Sequence, residues 1–302
     1  MEINVLLFYK FVKIGDAKNF ADEHLRMCNE IGVLGRILVA GEGINGSVCG
    51  TKEQVESYKK RLKQDSRFGD IFFKEEKCKS APFTKMRVLV KDSVINIGSD
   101  VDMSKKAGYI SPEELVRLYN GKEEFLILDT RNDYEWKVGK FKGARVLPIK
   151  TFRQFPEVLE RELADKKDSM IVTYCTGGIR CEKASALMKS KGFKKVYQLK
   201  DGIINFCQQF PNSFWEGKCF VFDKRLMNNT NSSKIITNCE LCSGKCDLYR
   251  NCKNHSCDRL VVMCVECERK MNACCSLACL REFKKHCQIK AFTKQGRRVK
   301  LL

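Results

Sequence analysis

The stretch from Tyr174 to Arg180 constrains the fold of this 302-residue chain more than any other feature. It has the sequence Tyr-Cys-Thr-Gly-Gly-Ile-Arg, and its first residue is the last residue of a compact apolar run, Met170–Tyr174. The next segment, Ile179–Ser190, places its apolar side chains on one helical stripe, and a glycine follows shortly after it. A short buried strand that passes through a glycine loop into a helix is typical of a parallel sheet in an α/β domain.

Two more compact apolar runs predict neighbouring strands of the same sheet. They are Phe125–Leu128 and Val196–Leu199, and neither alternates apolar with polar residues. That pattern suits strands that are buried on both faces. Upstream, Ser111 is followed by a proline and two glutamates, which predicts the start of a helix, and Gly121 should end it. We therefore predict an α/β domain over residues 110–217.

The loop itself predicts a reactive thiolate at Cys175, which is our candidate catalytic residue. Backbone N–H groups at a helix N-terminus, curled into a nest, stabilise an anion. Two glycines allow that curl, and Arg180 adds a positive charge, expected near the rim. A cysteine in this position has a lowered pKa and reacts as the thiolate. The rest of the active-site loop consists of Thr176, Gly177, Gly178, Ile179 and Arg180.

The spacing between Cys175 and Arg180 separates this loop from that of the cysteine phosphatases. Four residues lie between the two side chains, whereas a phosphatase loop uses one more to surround a tetrahedral phosphate. The shorter loop suits a terminal sulfur atom or another small group on the thiolate, and it argues against a phosphatase. The non-catalytic interpretation of this segment is that Cys175 is a buried cysteine at the end of a strand, followed by a flexible turn.

Residues 1–92 predict a small α+β domain. Its β-prone runs are Ile3–Tyr9, Arg36–Ala40, Ser47–Cys49, Ile71–Lys74 and Met86–Lys91. Asp16 can cap a first helix that ends at Gly32. Thr51 and Gln54 form a capping-box pattern, which opens a second helix to about Gln64. The resulting order, βαββαβ, is the ferredoxin-like arrangement.

The segment Gly41-Glu-Gly-Ile-Asn-Gly46 has only a superficial likeness to a phosphate-binding loop. It connects two predicted strands and does not open into a helix, so the dinucleotide-binding fingerprint fails. A tight turn is one interpretation, and a contact with an RNA backbone is the other. Residues 93–109 are expected to form a polar linker to the α/β domain.

The charge of the chain favours a nucleic acid as its partner. The formal net charge is +19, from 56 Lys and Arg against 37 Asp and Glu, and a basic protein gains affinity for a polyanion through counterion release. Lys79, Lys85 and Arg87 flank Pro82-Phe83 and so combine cations with an aromatic ring, as RNA-binding surfaces do. A solvated surface is the alternative for this segment.

The cysteines indicate a reducing compartment. Eighteen of them occur in the chain, but no signal peptide is recognisable, and free thiols or metal ligands are then more reasonable than disulfides. No apolar run approaches the ~18–20 residues that cross a bilayer. We expect a cytoplasmic protein that does not bind membranes, and the sequence leaves its oligomeric state open.

Eleven of the eighteen cysteines fall between Cys239 and Cys287, within a C-terminal region over 218–287 that a basic tail over 288–302 follows. Two Cys-x2-Cys pairs, one at Cys239 and Cys242 and the other at Cys264 and Cys267, have the spacing of a tetrahedral zinc site. A second site can draw its ligands from Cys246, Cys252, Cys257, Cys274, Cys275 and Cys279. An iron–sulfur cluster and a core of reduced thiols are the alternatives to structural zinc.

The three histidines have no evident connection with Cys175 in the sequence. His24 lies on the face of a predicted helix, and we interpret it as a structural residue. His255 and His286 remain candidates for minor metal ligands.

Three motifs occur in the order that is typical of a rhodanese domain: Asp129-Thr-Arg-Asn-Asp-Tyr-Glu135, Gly139-Lys-Phe-Lys-Gly-Ala144 and the Cys175 loop. Residues 110–217 therefore resemble a rhodanese domain. Nearly the whole chain is similar to the rhodanese-related tRNA uridine hydroxylases. That resemblance rests on the 41–46 segment, on Lys79-Ser-Ala-Pro-Phe-Thr-Lys-Met-Arg87 and on Cys175-Thr-Gly-Gly-Ile-Arg-Cys-Glu-Lys183, and the cysteine-rich region fits it.

The resemblance implies an oxidoreductase that converts the wobble uridine, position 34 of a tRNA, to 5-hydroxyuridine with molecular oxygen as co-substrate and an unidentified reductant. Cys175 matches the family's catalytic cysteine. As a hypothesis, its thiolate or an oxidised or persulfide derivative handles oxygen, or the thiolate adds to C6 of uracil. The runner-up function is a sulfurtransferase that carries sulfane sulfur as a cysteine persulfide. A non-catalytic, zinc-containing RNA-binding protein is the third.

Three further residues are candidates for an auxiliary role. Cys181 follows the loop on the first helical turn, where it either resolves an oxidised Cys175 or packs against the sheet. Asp129 and Arg131 lie at the end of a predicted parallel strand, where sites form in α/β sheets. Their alternative role is an ion pair that holds the loop.

Overall fold

The computed structural model describes residues 2–228 and 234–286. Its helices are α1 (Ala17–Ile31), α2 (Lys52–Gln64), α3 (Pro112–Asn120), α4 (Asp133–Trp136), α5 (Phe155–Leu163), α6 (Ile179–Ser190), α7 (Gly202–Gln209) and α8 (Val265–Lys270). Residues 277–286 are also helical. Within these ranges, no helix is both long and apolar enough to span a membrane.

The strands are short outside the N-terminal domain. They are β1 (Ile3–Phe11), β2 (Leu34–Ala40), β3 (Gly43–Gly50), β4 (Phe73–Cys78), β5 (Met86–Val90), β6 (Gly108–Ile110), β7 (Leu126–Asp129), β8 (Gly139–Phe141), β9 (Arg145–Val146), β10 (Met170–Tyr174), β11 (Lys195–Leu199), β12 (Trp215–Gly217), β13 (Cys219–Phe220), β14 (Met227–Asn228), β15 (Tyr249–Asn251) and β16 (Leu260–Val262).

The N-terminal domain has the predicted ferredoxin-like order, with one added strand. Its sheet runs β4-β1-β3-β2-β5; the first four strands are antiparallel, and β5 pairs in parallel with β2. Asp16 caps α1 by accepting a hydrogen bond from the Asn19 amide, and Gly32 ends it in the left-handed conformation. The capping box of Thr51 and Gln54 is present at α2. The predicted helix ends are therefore confirmed.

Each predicted strand in this domain differs from the observed one at one or both ends, and two of the differences have a clear cause. β3 begins at Gly43 because β1 pairs with β3 from Asn4 to Phe11, and the turn therefore contracts to two residues. β4 begins at Phe73, since Ile71 still belongs to a turn in which its amide donates to the Phe68 carbonyl.

The central domain is an α/β unit with a parallel sheet in the order β6-β11-β10-β7-β9. The three apolar runs predicted as strands form β7, β10 and β11, and α6 spans the predicted residues. Separate apolar cores cover the two faces of the sheet. The segment expected as a polar linker is part of this packing: Ile97 and Ala107 are buried in one core, and β6 lies at an edge of the sheet.

The C-terminal region contains two small hairpins, α8 and the helical residues 277–286. β13 pairs with β14 and β15 pairs with β16, while β12 at the end of the central domain pairs with β8. Val138 and Tyr134 of the central domain share a core with Phe220 and Tyr249. The basic tail over 288–302 and Cys287 lie outside the described residues.

Candidate active site

Cys175 lies where β10 ends, one turn before α6 begins. Gly178 is the N-cap of α6 with a φ of 101°, a left-handed conformation that favours glycine. Its N–H group donates a hydrogen bond to the Cys175 sulfur over 3.1 Å. The Cys175 carbonyl accepts from the Ile203 amide at the start of α7. The predicted nest is thus built from loop amides, and it places the sulfur atom against a helix N-terminus.

The environment of Cys175 lowers the pKa of its thiol. Burial alone raises the pKa, because it removes the thiolate from water. Hydrogen bonding by the Cys181 thiol, the positive charge of Arg180 and the backbone N–H groups of Arg180 and Gly178 outweigh burial and lower the pKa to about 5. The pKa of Cys181 is raised instead, through burial and its contact with Cys175. At neutral pH, Cys175 is therefore a thiolate and Cys181 its hydrogen-bond donor.

Arg180 does not lie at the rim of the loop. Its side chain is buried and forms a bidentate ion pair with Glu135, with N–O distances of 2.5 and 2.7 Å. Glu135 also accepts from the Asn132 amide and so caps α4. The motif around residue 135 therefore supplies the carboxylate that fixes Arg180 beside the thiolate. We did not predict this role, although the glutamate is part of the motif quoted above.

Asp129 and Arg131 form a fully buried ion pair beneath the loop. The Arg131 guanidinium donates to both carboxylate oxygens of Asp129 and to the Gly139 carbonyl. The Tyr174 hydroxyl donates to Asp129 over 2.5 Å. These contacts favour the loop-fixing role for the pair over a direct role in chemistry.

The N-terminal domain covers the Cys175 loop through β1. A Cβ atom added to Gly177 would lie 2.9 Å from a methyl group of Leu7, and one added to Gly178 would lie 2.9 Å from the Tyr9 hydroxyl. Tyr9 donates to the carboxylate of Glu182 on α6. Cys175 is only 1% exposed as a result. The site therefore lies between two domains, which the loop motif by itself does not show.

Two ion pairs hold this interface together. Lys74 of β4 is buried and contacts Asp201 over 3.1 Å. Lys183 of α6 contacts Glu42 over 2.8 Å. Glu42 belongs to the two-residue turn between β2 and β3, and it also accepts from Ser93 and from the Val94 amide. The 41–46 segment thus contains the predicted tight turn, whose acidic side chain joins the two domains.

A small, mainly apolar cavity of about 70 Å³ lies beside the loop. The central domain contributes Thr176 to its wall, the N-terminal domain contributes Leu7 and Phe83, and the C-terminal region contributes Phe222. Phe222 is 60% exposed, and its ring centroid lies 5.8 Å from the Arg180 guanidinium. The cationic residues near Phe83 in the sequence, Lys79, Lys85 and Arg87, are exposed.

The structure brings eight cysteines together in two sets. The first is the predicted one, Cys239, Cys242, Cys264 and Cys267, and the second is Cys252, Cys257, Cys275 and Cys279. Within each set the sulfur atoms lie within 4.8 Å of one another. Cys246 and Cys274, which we included for the second site, belong to neither set, and neither do His255 and His286.

The sulfur geometry fits one metal ion in each set. Cys242 and Cys264 are 3.7 Å apart, and Cys257 and Cys275 are 3.6 Å apart. Tetrahedral zinc with Zn–S bonds of about 2.3 Å separates its ligand sulfurs by about 3.8 Å. A four-iron cluster would separate the thiolates further, because iron and sulfide atoms lie between them. These distances favour zinc over such a cluster.

His24 has the predicted structural role. It is buried in the N-terminal core, where its Nε2 atom lies 2.9 Å from the Tyr58 hydroxyl. Burial lowers the pKa of its imidazole to about 4, so the ring is neutral at physiological pH.

Family models match three consecutive parts of the chain. Residues 3–94 match the UPF0176 acylphosphatase-like domain, residues 111–209 match the rhodanese-like domain, and residues 216–280 match the rhodanese C-terminal domain.

Curated relatives are similar to this chain over most of its length, and the three described here are each named tRNA uridine(34) hydroxylase. The relative from Bacillus licheniformis is 38% identical over 92% of this chain and 88% of its own length. That from Onion yellows phytoplasma is 38% identical over 93% and 95%, respectively. A shorter match, from Legionella pneumophila strain Corby, is 44% identical over 74% of this chain and 90% of the relative.

Proposed function

The chain belongs to the family of tRNA uridine(34) hydroxylases, and we propose that it hydroxylates the wobble uridine of tRNA to 5-hydroxyuridine. The observation that carries this proposal is the identity of 38–44% to relatives of that name over most of both chains. Molecular oxygen is the co-substrate. Uridine, one oxygen molecule, two electrons and two protons then yield 5-hydroxyuridine and water.

Cys175 is the catalytic residue in this proposal. Its thiolate adds to C6 of the uracil, which makes C5 nucleophilic towards an oxygen donor derived from molecular oxygen. Loss of the C5 proton and departure of the thiolate then restore the C5–C6 double bond. The lowered pKa of Cys175 supports both steps, since the sulfur is charged for the attack and is also a good leaving group.

A sulfurtransferase remains the second chemistry that such a loop permits, but it is not favoured. The relatives that match most of the chain are named as hydroxylases, and a sulfurtransferase does not need the covering N-terminal domain. Rapid transfer of sulfur from thiosulfate to cyanide would argue for this alternative.

The tRNA binds, in our proposal, across the exposed basic residues Lys79, Lys85 and Arg87. Phe83 lies among them in sequence and also lines the cavity beside Thr176. In this proposal the segment would bind phosphates through its cations and approach the active site through Phe83. A tRNA substrate also favours a cytoplasmic location, which we include in the proposal.

The two cysteine sets are structural zinc sites in this proposal. When bound, zinc would link hairpins that otherwise have little apolar core, and its binding free energy would stabilise the C-terminal region. Metal analysis with an absorption spectrum tests the assignment. Coloured protein that contains iron would contradict it.

The decisive experiment is nucleoside mass spectrometry of tRNA from a deletion strain that carries the wild-type gene, Cys175→Ser or Cys207→Ser. Cys207 is a matched control, because it is buried in the same domain and lies on α7. We expect 5-hydroxyuridine with the wild type and Cys207→Ser, and none with Cys175→Ser. Normal modification by Cys175→Ser, or an equal yield without oxygen, would refute the proposal.

A further inference from the structure

Phe222 is an exposed aromatic residue directly beside the Cys175 loop. Its side chain is 60% exposed, although it lines the cavity that Thr176 also lines. A large apolar side chain in contact with solvent loses the stabilisation that burial would provide. Among the described residues, its ring is also the only aromatic group that contacts the Arg180 guanidinium.

The backbone around Phe222 is well fixed. Phe222 follows β13, and the chain turns back into β14 through a bond from the Leu226 amide to the Asp223 carbonyl. The Asp223 carboxylate accepts from the backbone and the guanidinium of Arg225. The Phe222 ring packs edge-on against Phe220, with centroids 5.3 Å apart. The exposed ring therefore belongs to a turn that is held by several hydrogen bonds.

The segment that contributes Phe83 to the cavity also carries cationic side chains. Lys79, Lys85 and Arg87 are exposed on this short segment, although they do not line the cavity. The acidic groups of the cavity are paired, since Glu76 and Asp223 both contact Arg225. A phosphodiester chain therefore meets no unpaired carboxylate of this lining, and the cavity itself is mainly apolar.

We propose that the exposed face of Phe222 stacks on the base at position 34 and holds it over the Cys175 loop. The inference rests on the proposed function and specifies how that site binds its substrate. Aromatic side chains stack on unpaired bases in single-stranded RNA recognition. A cavity of about 70 Å³ is too small to enclose a nucleotide, so the base must rest against the mouth, where Phe222 is the exposed ring.

The base has to leave the anticodon stack before its C6 can approach a buried thiolate, and a ring at the mouth offers a replacement for the lost stacking. Stacking depends little on which base is bound, and contacts with phosphates do not depend on the sequence. Phe222 is therefore a substrate-positioning residue, and its loss should weaken binding of the base without altering the thiolate.

The test uses the full-length protein and an anticodon stem-loop RNA with the fluorescent base 2-aminopurine at position 34. Stacking on a neighbouring base or on an aromatic ring quenches this base, so the measurement is the fluorescence of the bound RNA, compared among the variants at saturating protein. We compare Phe222→Ala, Phe222→Trp and Phe72→Ala; Phe72 is a matched control because it is an exposed phenylalanine, 52% accessible, that does not line this cavity. We expect quenching with the wild type, Phe222→Trp and Phe72→Ala, and its loss with Phe222→Ala.

Turnover of a stem-loop with uridine at position 34 provides the second measurement. We expect Phe222→Ala to raise the KM by about 5- to 150-fold, the range that corresponds to one stacked base, and Phe222→Trp to restore it. The pH titration of the Cys175 thiolate should be unchanged in both variants, which shows that the loop is intact.

The outcomes separate the inference from the function on which it rests. A wild type that is active and a Phe222→Ala variant with unchanged quenching and KM would overturn the stacking role alone. Equal losses in Phe72→Ala and Phe222→Ala would also overturn it. A wild type that quenches 2-aminopurine but forms no 5-hydroxyuridine would overturn the proposed reaction and leave the stacking role supported.

Discussion

Replacement of Cys181 by alanine should raise the pKa of Cys175, because it removes a hydrogen bond to the thiolate. Cys181 is fully buried on the first turn of α6, and its thiol is the side-chain donor to Cys175. A hydrogen bond to a charged group contributes about 1.5–3 kcal/mol, and one pKa unit corresponds to about 1.36 kcal/mol. The pKa of Cys175, about 5 in the wild type, should therefore rise by about one to two units.

The assay is a pH titration of the ultraviolet thiolate absorbance. The signal of Cys175 is obtained as the difference between each protein and the same protein with Cys175→Ser. Cys181→Ser retains a hydroxyl donor and should keep most of the wild-type pKa, whereas Cys207→Ala is a control for loss of a buried thiol elsewhere in the domain. An unchanged or lowered pKa in Cys181→Ala would show that Cys181 does not stabilise the thiolate.

Three other predictions address acidity, domain contact and metal. Hydroxylation should decline as the pH falls through about 5, where Cys175 becomes protonated. Because this pKa lies below the value in the unfolded chain, the thiolate contributes its full stability above the unfolded pKa, and this contribution is lost towards pH 5. A flat rate profile down to pH 4 would contradict the assignment. Gly177→Ala should lower the free energy of unfolding by about 1–3 kcal/mol in denaturant titrations, because its Cβ meets Leu7. Leu7→Ala should relieve this clash in the double variant. Additive losses of stability in the double variant would argue against this domain contact. Cys242→Ser should lower the bound zinc from two ions to one per chain if each set holds one ion, as the sulfur positions allow. An unchanged metal content would exclude the first set.

Local signals in the sequence accounted for the individual elements. The caps at Asp16, Thr51 and Ser111 place helix starts within a few residues, since a cap satisfies amides of its own first turn. The apolar runs indicated the buried strands, because burial on both faces requires apolar residues within the strand itself. The limits that failed, at β3 and β4, depend on pairing with β1, which is distant in the sequence.

In the candidate site, too, the features within one continuous segment could be predicted, and the contacts between distant segments could not. Cys175, the glycines and the spacing to Arg180 were recognisable because a loop between a strand and a helix is a continuous segment. Glu135 was part of a quoted motif, but its pairing with Arg180 could not be predicted, since the two residues are 45 positions apart. The nearest signal in the sequence is that Glu135 follows Asn132 by three residues, which is the spacing of a capping box.

By itself, the sequence determined that a thiolate occupies a nest at the start of α6, and that two Cys-x2-Cys pairs can share a metal. Both features depend on close spacing and on backbone geometry. Only the tertiary structure decided that β1 covers Cys175, that Arg180 is buried against Glu135, and that Phe222 lies at the mouth of the cavity. Burial and charge pairing between distant segments arise when domains pack, because packing removes water from both partners at once. The reactivity of Cys175 is therefore evident from its loop, while access to it is controlled by the domains around it.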